Sequence, residues 1–301
     1  MLKINTRHKL AGLFLSALFM QGMQLSAQDA GRKAISDIAE SAIQLKGERF
    51  TFPKHYRTLT VDMSAMEQQL TQAPEEAAFR TAGQQVVFEM PMPDGTTESF
   101  SIYKSVVMHP DLAAQFPQIK TFAGQGINHP EDHIRLDVTP LGFHAMVLSP
   151  RGQVFIDPYS TNTTTDYICY YKKDVVRTTG FTCETDEVSH DLERTIPANY
   201  QGQRSSGTQL RTYRLALAGT GEYTATKGGT VAGGLAGMTT SMNRVNGVYE
   251  TEVGIRMVIV ANNNLLVYTN SATDPYTNGN GSTMLTENIN NCNAVIGSAN
   301  Y

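Results

Sequence analysis

Charge is scarce in this chain. Charged residues make up 17% of its 301 positions and the formal net charge is −4, so no broad basic surface is available to hold a polyanion, and nucleic acid is excluded as a partner class. Cysteine is scarcer still, with only Cys169, Cys183 and Cys292. An odd count leaves at least one thiol unpaired, joined to another chain, or joined to sequence outside these residues. Long apolar runs are confined to the N-terminus. Nothing after Ala27 is long and apolar enough to cross a membrane, so the mature chain is expected to have no membrane span. The length itself allows two ordinary domains, each with its own core.

The N-terminus has the order of an export signal. Lys3, Arg7 and Lys9 precede an apolar run from Leu10 to Met20, and the small-residue stretch Leu25-Ser26-Ala27 follows. The basic flank, short apolar core and small-residue boundary predict a signal peptide over 1–27, cleaved after Ala27, and a secreted or extracytoplasmic protein. Its cysteines would then lie in an oxidising compartment.

His129-Pro130-Glu131-Asp132-His133 places two histidines at i and i+4. In the zinc signature H-E-x-x-H that spacing works because both imidazoles share one helical face, with the glutamate beside the metal-bound water. Here Pro130 occupies the glutamate position and Glu131 is displaced by one. The following residues Ile134, Leu136 and Val138 alternate with polar ones at strand period. The stretch therefore reads as a polar loop entering a strand.

The fold class expected is α+β, in two parts. Ile35, Ile38, Ala42 and Leu45 fall at helical spacing and predict a short amphipathic helix within 32–47. From Tyr56 to Lys173 the texture is mainly strand. Val86 to Phe88 and Phe100 to Tyr103 flank the turn signal Pro93-Asp94-Gly95 and predict a hairpin. Further strands are expected at Ile134 to Val138, Phe143 to Leu148, Val154 to Ile156 and Tyr167 to Tyr171, with turns at Thr139 to Gly142 and Ser149 to Gly152. This makes a β-rich domain over 28–183.

A polar stretch with Pro197 and no apolar period, 184–209, reads as a linker accessible to proteases. Beyond it, Thr212 to Ala218 predicts a strand. Val231, Leu235, Met238, Met242, Val245 and Tyr249 then define one helix face, despite glycines at 233, 234 and 237. Gly254 to Val260 predicts the next strand, the opening of an α/β sandwich with a right-handed crossover if the strands are parallel. Ser282 or Thr283 is expected to cap a second helix with Leu285, Ile289, Cys292 and Ile296 on its apolar face. Two strands are few for a stable layered sheet, so this part reads as incomplete.

Four stretches of this C-terminal part carry a family resemblance: Arg211 to Leu217, Thr220-Gly221-Glu222-Tyr223, Met242-Asn243-Arg244-Val245-Asn246-Gly247-Val248-Tyr249-Glu250, and Thr273 to Asn278. In this order they resemble the opening of the catalytic domain in bacterial secreted reprolysin-like (M12B-type, metzincin) zinc metallopeptidases. The upstream segments Met90 to Gly95, Phe116 to Gly124 and Asp157-Pro158-Tyr159 are similar to the β-rich propeptide region of such proteins.

The resemblance implies a zymogen made of signal peptide, propeptide, linker, and the N-terminal part of a metzincin-like catalytic domain over 210–301. It implies a protein or peptide substrate and a zinc cofactor. The family holds zinc with H-E-x-x-H-x-x-G-x-x-H, leaving a fourth position for a water that attacks the peptide carbonyl while the glutamate takes its proton. That motif is absent from the 301 residues, and every histidine, including His109, His129, His133, His144 and His190, precedes the resembling part. No catalytic or zinc-coordinating residue is therefore assigned, the chain as written is expected not to hydrolyse peptides, and truncation before the zinc helix is the preferred explanation. Cys183 is the one candidate metal ligand, as a propeptide thiolate able to fill the open zinc position. Its surroundings are not the usual switch motif, and a disulfide or free surface thiol is the competing reading. Cys169 is expected in a strand and Cys292 in a core. Asp274 and Glu222 could contribute to a calcium site, but their spacing favours solvated loop carboxylates. Arg194 and Arg204 are candidate processing points. The alternatives are a secreted β-rich binding or adhesion module, or an inactive metallopeptidase relative.

Overall fold

The computed structural model describes residues 33–83, 85–176 and 209–301; the expected signal peptide and most of the expected linker, with Cys183, His190, Arg194 and Arg204, lie outside them. In chain order the elements begin with β1 (Ile35–Asp37), β2 (Arg57–Val61), α1 (Met63–Thr71), α2 (Glu76–Ala82), β3 (Val86–Pro91), β4 (Thr97–Lys104) and α3 (Pro110–Gln115). Then follow β5 (Lys120–Gly126), β6 (His133–Thr139), β7 (Gly142–Leu148), β8 (Val154–Pro158) and β9 (Asp166–Tyr171). The C-terminal part holds β10 (Arg211–Leu215), α4 (Gly221–Ala225), α5 (Val231–Val253), β11 (Ile255–Ile259) and α6 (Gly281–Val295). The class is α+β, as the sequence implies.

Nine strands form one antiparallel sheet in the order β1-β2-β9-β8-β7-β6-β5-β4-β3. The hairpin expected around Pro93-Asp94-Gly95 is present, with Phe88 opposite Phe100. The sheet curls on itself. Leu59 and Val61 near one end of the order share a core cluster with Phe88 and Met90 at the other end. Across the same gap Arg57 donates from Nη1 to the carbonyls of Met92 and Thr96, each at 3.1 Å. Helix α1 closes over this core with Met66 and Leu70, its first turn capped by Asp62, which accepts from the Ser64 and Ala65 amides.

Residues 35–47 do not form the amphipathic helix that their spacing suggests. Ile35 to Asp37 pairs with β2 instead, Glu40–Ala42 makes a single 3-10 turn, and Leu45 is exposed. Of the four residues only Ile35 lies in the strand, where pairing of Ile35 to Asp37 with β2 takes the backbone bonds that a helix would have used. Helices α1, α2 and α3 lie in the region expected to be mostly strand.

The C-terminal strands β10 and β11 are parallel, with Arg211 opposite Ile255 and Leu215 opposite Ile259. They are joined by α5, as expected, and β10 is shorter than the 212–218 strand predicted. Thr230 caps α5 by accepting from the Gly233 amide, and Gly254 ends it at φ 66°, a left-handed backbone that any side chain would strain. The cap of α6 is Asn280, accepting from Thr283, rather than Ser282 or Thr283. Only the lower part of the expected α6 face is covered: Cys292 and Ile296 pack on Val260 and Leu266, whereas Leu285 and Ile289 are 71% and 60% exposed.

Candidate functional site

The chemistry-bearing side chains of the described residues concentrate along α5, where it lies between the large sheet and β11. One side of this helix faces β5, β6 and β7, and the other faces β11. That placement explains β6 and β7. Their inward residues Ile134, Leu136, Phe143, Ala145 and Val147 fill the sheet's core, yet the outward Arg135, Asp137, His144 and Met146 are buried too. The polar alternation that reads as a solvent-facing strand surface is in fact the floor beneath α5.

Asp137 is 1% exposed and accepts from Thr240 of α5 at 2.7 Å, while His144 Nδ1 lies 3.0 Å from the same carboxylate oxygen. Both groups converge on Asp137 Oδ1, so the hydroxyl proton points to the carboxylate and not to the imidazole. A hydroxyl nucleophile needs the opposite arrangement, with its proton directed at the base. Asp137, His144 and Thr240 therefore act as a structural anchor.

The stretch Met242 to Glu250 supplies most of the remaining seam. Asn243 donates to the Leu136 carbonyl at 2.8 Å, and Arg244 reaches Asp157 at 2.6 Å. Tyr170 donates to the other oxygen of Asp157 at 2.6 Å; burial, followed by the Asp157 charge, pushes its phenol up. On the opposite side Asn246 forms a two-bond amide pair with the backbone of Met257, at 2.8 and 2.9 Å. Gly247 lies where a Cβ would come within 2.9 Å of Arg135 Cγ and Met146 Cε, so α5 approaches β6 closely at this point.

Glu250 completes an ion-pair chain. It receives two bonds from Arg256, at 2.7 and 2.9 Å, and lies 2.7 Å from Arg135 Nη2. Arg256 also reaches Glu76 of α2, at 2.6 and 3.1 Å. Burial raises the Glu250 carboxyl, but the bonds from Arg256 and the Arg135 charge together outweigh it and hold the group below its ordinary range. Glu76 is likewise held low: burial opposes, and the bonds from Arg256 and Arg80 prevail. The fork of Arg256 suits this bidentate role.

The other sequence candidates lie apart from this seam. His133 starts β6 at the strand boundary the sequence suggests; burial, then the Arg135 charge, lowers its imidazole. His129 faces Glu131 at 3.4 Å and Glu98 at 4.0 Å, and Asp132 is bound by Arg151. Cys169 is buried in β9 with its thiol donating to Pro91, and burial pushes that thiol far up. Cys292 is buried on α6. Asp274 is not a freely solvated loop carboxylate. It accepts from the Gly221 amide at 2.7 Å and the Tyr276 amide at 3.0 Å, tying two of the resembling stretches together. Glu222 is exposed.

Among the described residues no group of three or more His, Cys, Asp or Glu side chains is placed to hold a metal ion. The residues present do not fit a catalytic zinc, whose closed or open sites need at least three protein ligands. Sequence reasoning missed Asp137, His144, Thr240, Glu76 and Arg256 altogether; their partners are 103 and 180 positions apart in the two long-range pairs, Asp137 with Thr240 and Glu76 with Arg256. No curated protein matches the chain. Residues 209–301 match the family model described as metallo-peptidase family M12B, reprolysin-like, and this C-terminal part, with the α5 seam residues in it, is therefore similar to a zinc-dependent protease family.

Proposed function

We propose that this chain is a precursor portion of an exported zinc-dependent endopeptidase. In this reading 1–27 is the signal peptide, 28–183 the propeptide, 184–209 the linker, and 210–301 the first part of the catalytic domain. Proteins or peptides are the substrates. The observation that carries the reading is the family match over 209–301, which lies wholly after the last strand of the nine-stranded sheet. The parallel β10–α5–β11 unit supports it. Zinc would be held by residues outside those described, so no hydrolytic step is assigned to any side chain here. Cys183 keeps its role as a candidate latent ligand.

The reading is tested on the gene and then on the protein. The downstream reading frame is expected to encode H-E-x-x-H-x-x-G-x-x-H, and the full-length product is expected to bind zinc and lose casein hydrolysis on chelation. Absence of a histidine pair at helical spacing in that frame, or activity that survives chelator, overturns it. A secreted β-rich binding module then becomes the better account.

A further inference from the structure

The nine-stranded sheet curls without closing, and its two outermost strands, β1 and β3, line one open cleft of about 1030 Å³. Alternate residues of an antiparallel ladder turn their amide and carbonyl toward the paired neighbour, and those between turn theirs away. The Asp62 amide donates to Ala34 and the Ile38 amide to Thr58, so the even-numbered residues of β1 bond β2. Ile35 and Asp37 turn their main-chain groups the other way. Just past β3 the Met92 amide donates to Thr96, which sets the even-numbered residues of that strand against β4. Val87 and Glu89 therefore present theirs on the unpaired edge.

Side chains, not a strand, span the gap at its two ends. Gln69 of α1 donates to the Val87 carbonyl at 3.2 Å, and at the other end Arg57 reaches Met92 and Thr96 while the Cys169 thiol donates to the Pro91 carbonyl. Between them the Val87 amide and both main-chain groups of Glu89 have no main-chain partner among the described residues. Val87 is also 44% exposed. A bare strand edge with an exposed apolar side chain invites pairing with another chain unless it is blunted, and Pro91 blunts only one end of this one. The charges of the cleft are already engaged: Arg57 with Asp37, Asp62 with the first-turn amides of α1, and Glu89 with the Ser99 hydroxyl. A phosphate-bearing ligand would meet Asp37, Asp62 and Glu89 against only Lys33 and Arg57. The cleft instead offers main-chain donors and acceptors on both walls, the chemistry that recognises an uncharged extended peptide.

We propose that this cleft binds an uncharged, extended peptide segment of a partner protein, which lies as a strand between β1 and β3 and completes the sheet. The segment is about as long as Val87 to Pro91. Its side chains alternate between two surroundings. Those on the inner side meet Leu59 and Phe88 and are apolar, and those on the outer side lie beside Val87. The proposal rests on the nine-stranded sheet and α1 alone, and stands apart from the hydrolytic reading.

The test adds a capped peptide of alternating threonine and valine to the full chain, at up to about 1 mM, and follows amide hydrogen exchange residue by residue. Exchange at Asp37 and Glu89, one on each wall, is expected to slow together by about tenfold at saturation. The same peptide N-methylated at alternate residues, which strips the donors from one of its edges, is expected to bind about fivefold more weakly or worse. Glu89→Pro removes the amide on the cleft side and leaves the ladder to β4, whereas Glu89→Ala keeps that amide. The proline variant is expected to bind the unmodified peptide about fivefold more weakly than the alanine variant, the effect of one hydrogen bond. Should the proline variant not fold, the N-methyl comparison on the unaltered protein decides. No protection at the highest peptide concentration, protection at one wall only or at β10 instead, or equal binding of the N-methylated peptide overturns the proposal. Equal affinities of two folded Glu89 variants overturn it as well.

Discussion

Arg256 and Glu76 lie 180 positions apart, yet their side chains meet at 2.6 Å. The pair joins a strand of the C-terminal part to a helix outside the nine-stranded sheet, and it continues through Glu250 to Arg135. The first prediction concerns the residue at its centre. Arg256→Ala leaves Glu250 and Glu76 facing each other without their shared cation, and is expected to destabilise the fold by about 3 kcal/mol, in the range for stranding a buried charge. Urea denaturation followed by circular dichroism checks this, and a change below about 1 kcal/mol would show that solvent readily replaces the guanidinium.

Acid should act on the same chain of charges. Glu76 and Glu250 are both held below their ordinary value of 4.5. A depressed carboxylate contributes stability that is fully present above the unfolded value and is lost as pH falls through the lower folded one. Thermal midpoints are therefore expected to hold near pH 7 and to drop below about pH 4.5. Glu250→Gln should lower the midpoint at pH 7 and flatten its fall in acid; identical slopes for the two proteins would place the acid sensitivity elsewhere.

Gly247→Ala tests the close approach of α5 to the sheet. Alanine gains helix propensity of up to about 1 kcal/mol, but its Cβ would meet Arg135 and Met146 at 2.9 Å. Overpacking costs about 1–3 kcal/mol, so a net loss of about 1 kcal/mol is expected. A stabilised variant would mean that both flexible side chains move aside freely.

Helix α6 offers a contrast between two ends of one apolar face. Ile296→Ala is expected to cost about 2–4 kcal/mol, because Ile296 is packed against Val260 and Leu266. Leu285→Ser should change stability by less than about 0.5 kcal/mol, because Leu285 is exposed. Comparable losses at both positions would indicate that the exposed half is covered in solution.

Thiol titration of the native protein should find Cys169 and Cys292 unreactive until denaturant is added, since both are buried and burial raises both thiols. Fast reaction at Cys169 would contradict its place in β9.

How much of this was legible in advance differs by element. The hairpin around Gly95 and the strands at 134–138, 143–148 and 167–171 are readable because a local turn and a two-residue period suffice to specify them. Helix α5 is readable for the same reason, from its four-and-three steps, although Tyr249 at the end of that face is 43% exposed. The segment at 35–45 misleads because local spacing cannot show that Ile35 to Asp37 finds a strand partner in β2, farther along the chain. Leu285 and Ile289 mislead differently: periodicity says which face is apolar and cannot say whether anything covers it.

By itself the sequence determined the α+β class, the strand–helix–strand order after residue 210, and the resemblance of 209–301 that its family match supports. These depend on patterns a few residues long. Only the tertiary structure decided that Arg135 and Asp137 are buried under α5, and that Glu76, Arg256 and Glu250 form one chain of ion pairs. A charged residue reads as solvent-exposed until a partner brought from far along the chain satisfies it, and that partner is set by how the sheet curls and where the helix lands.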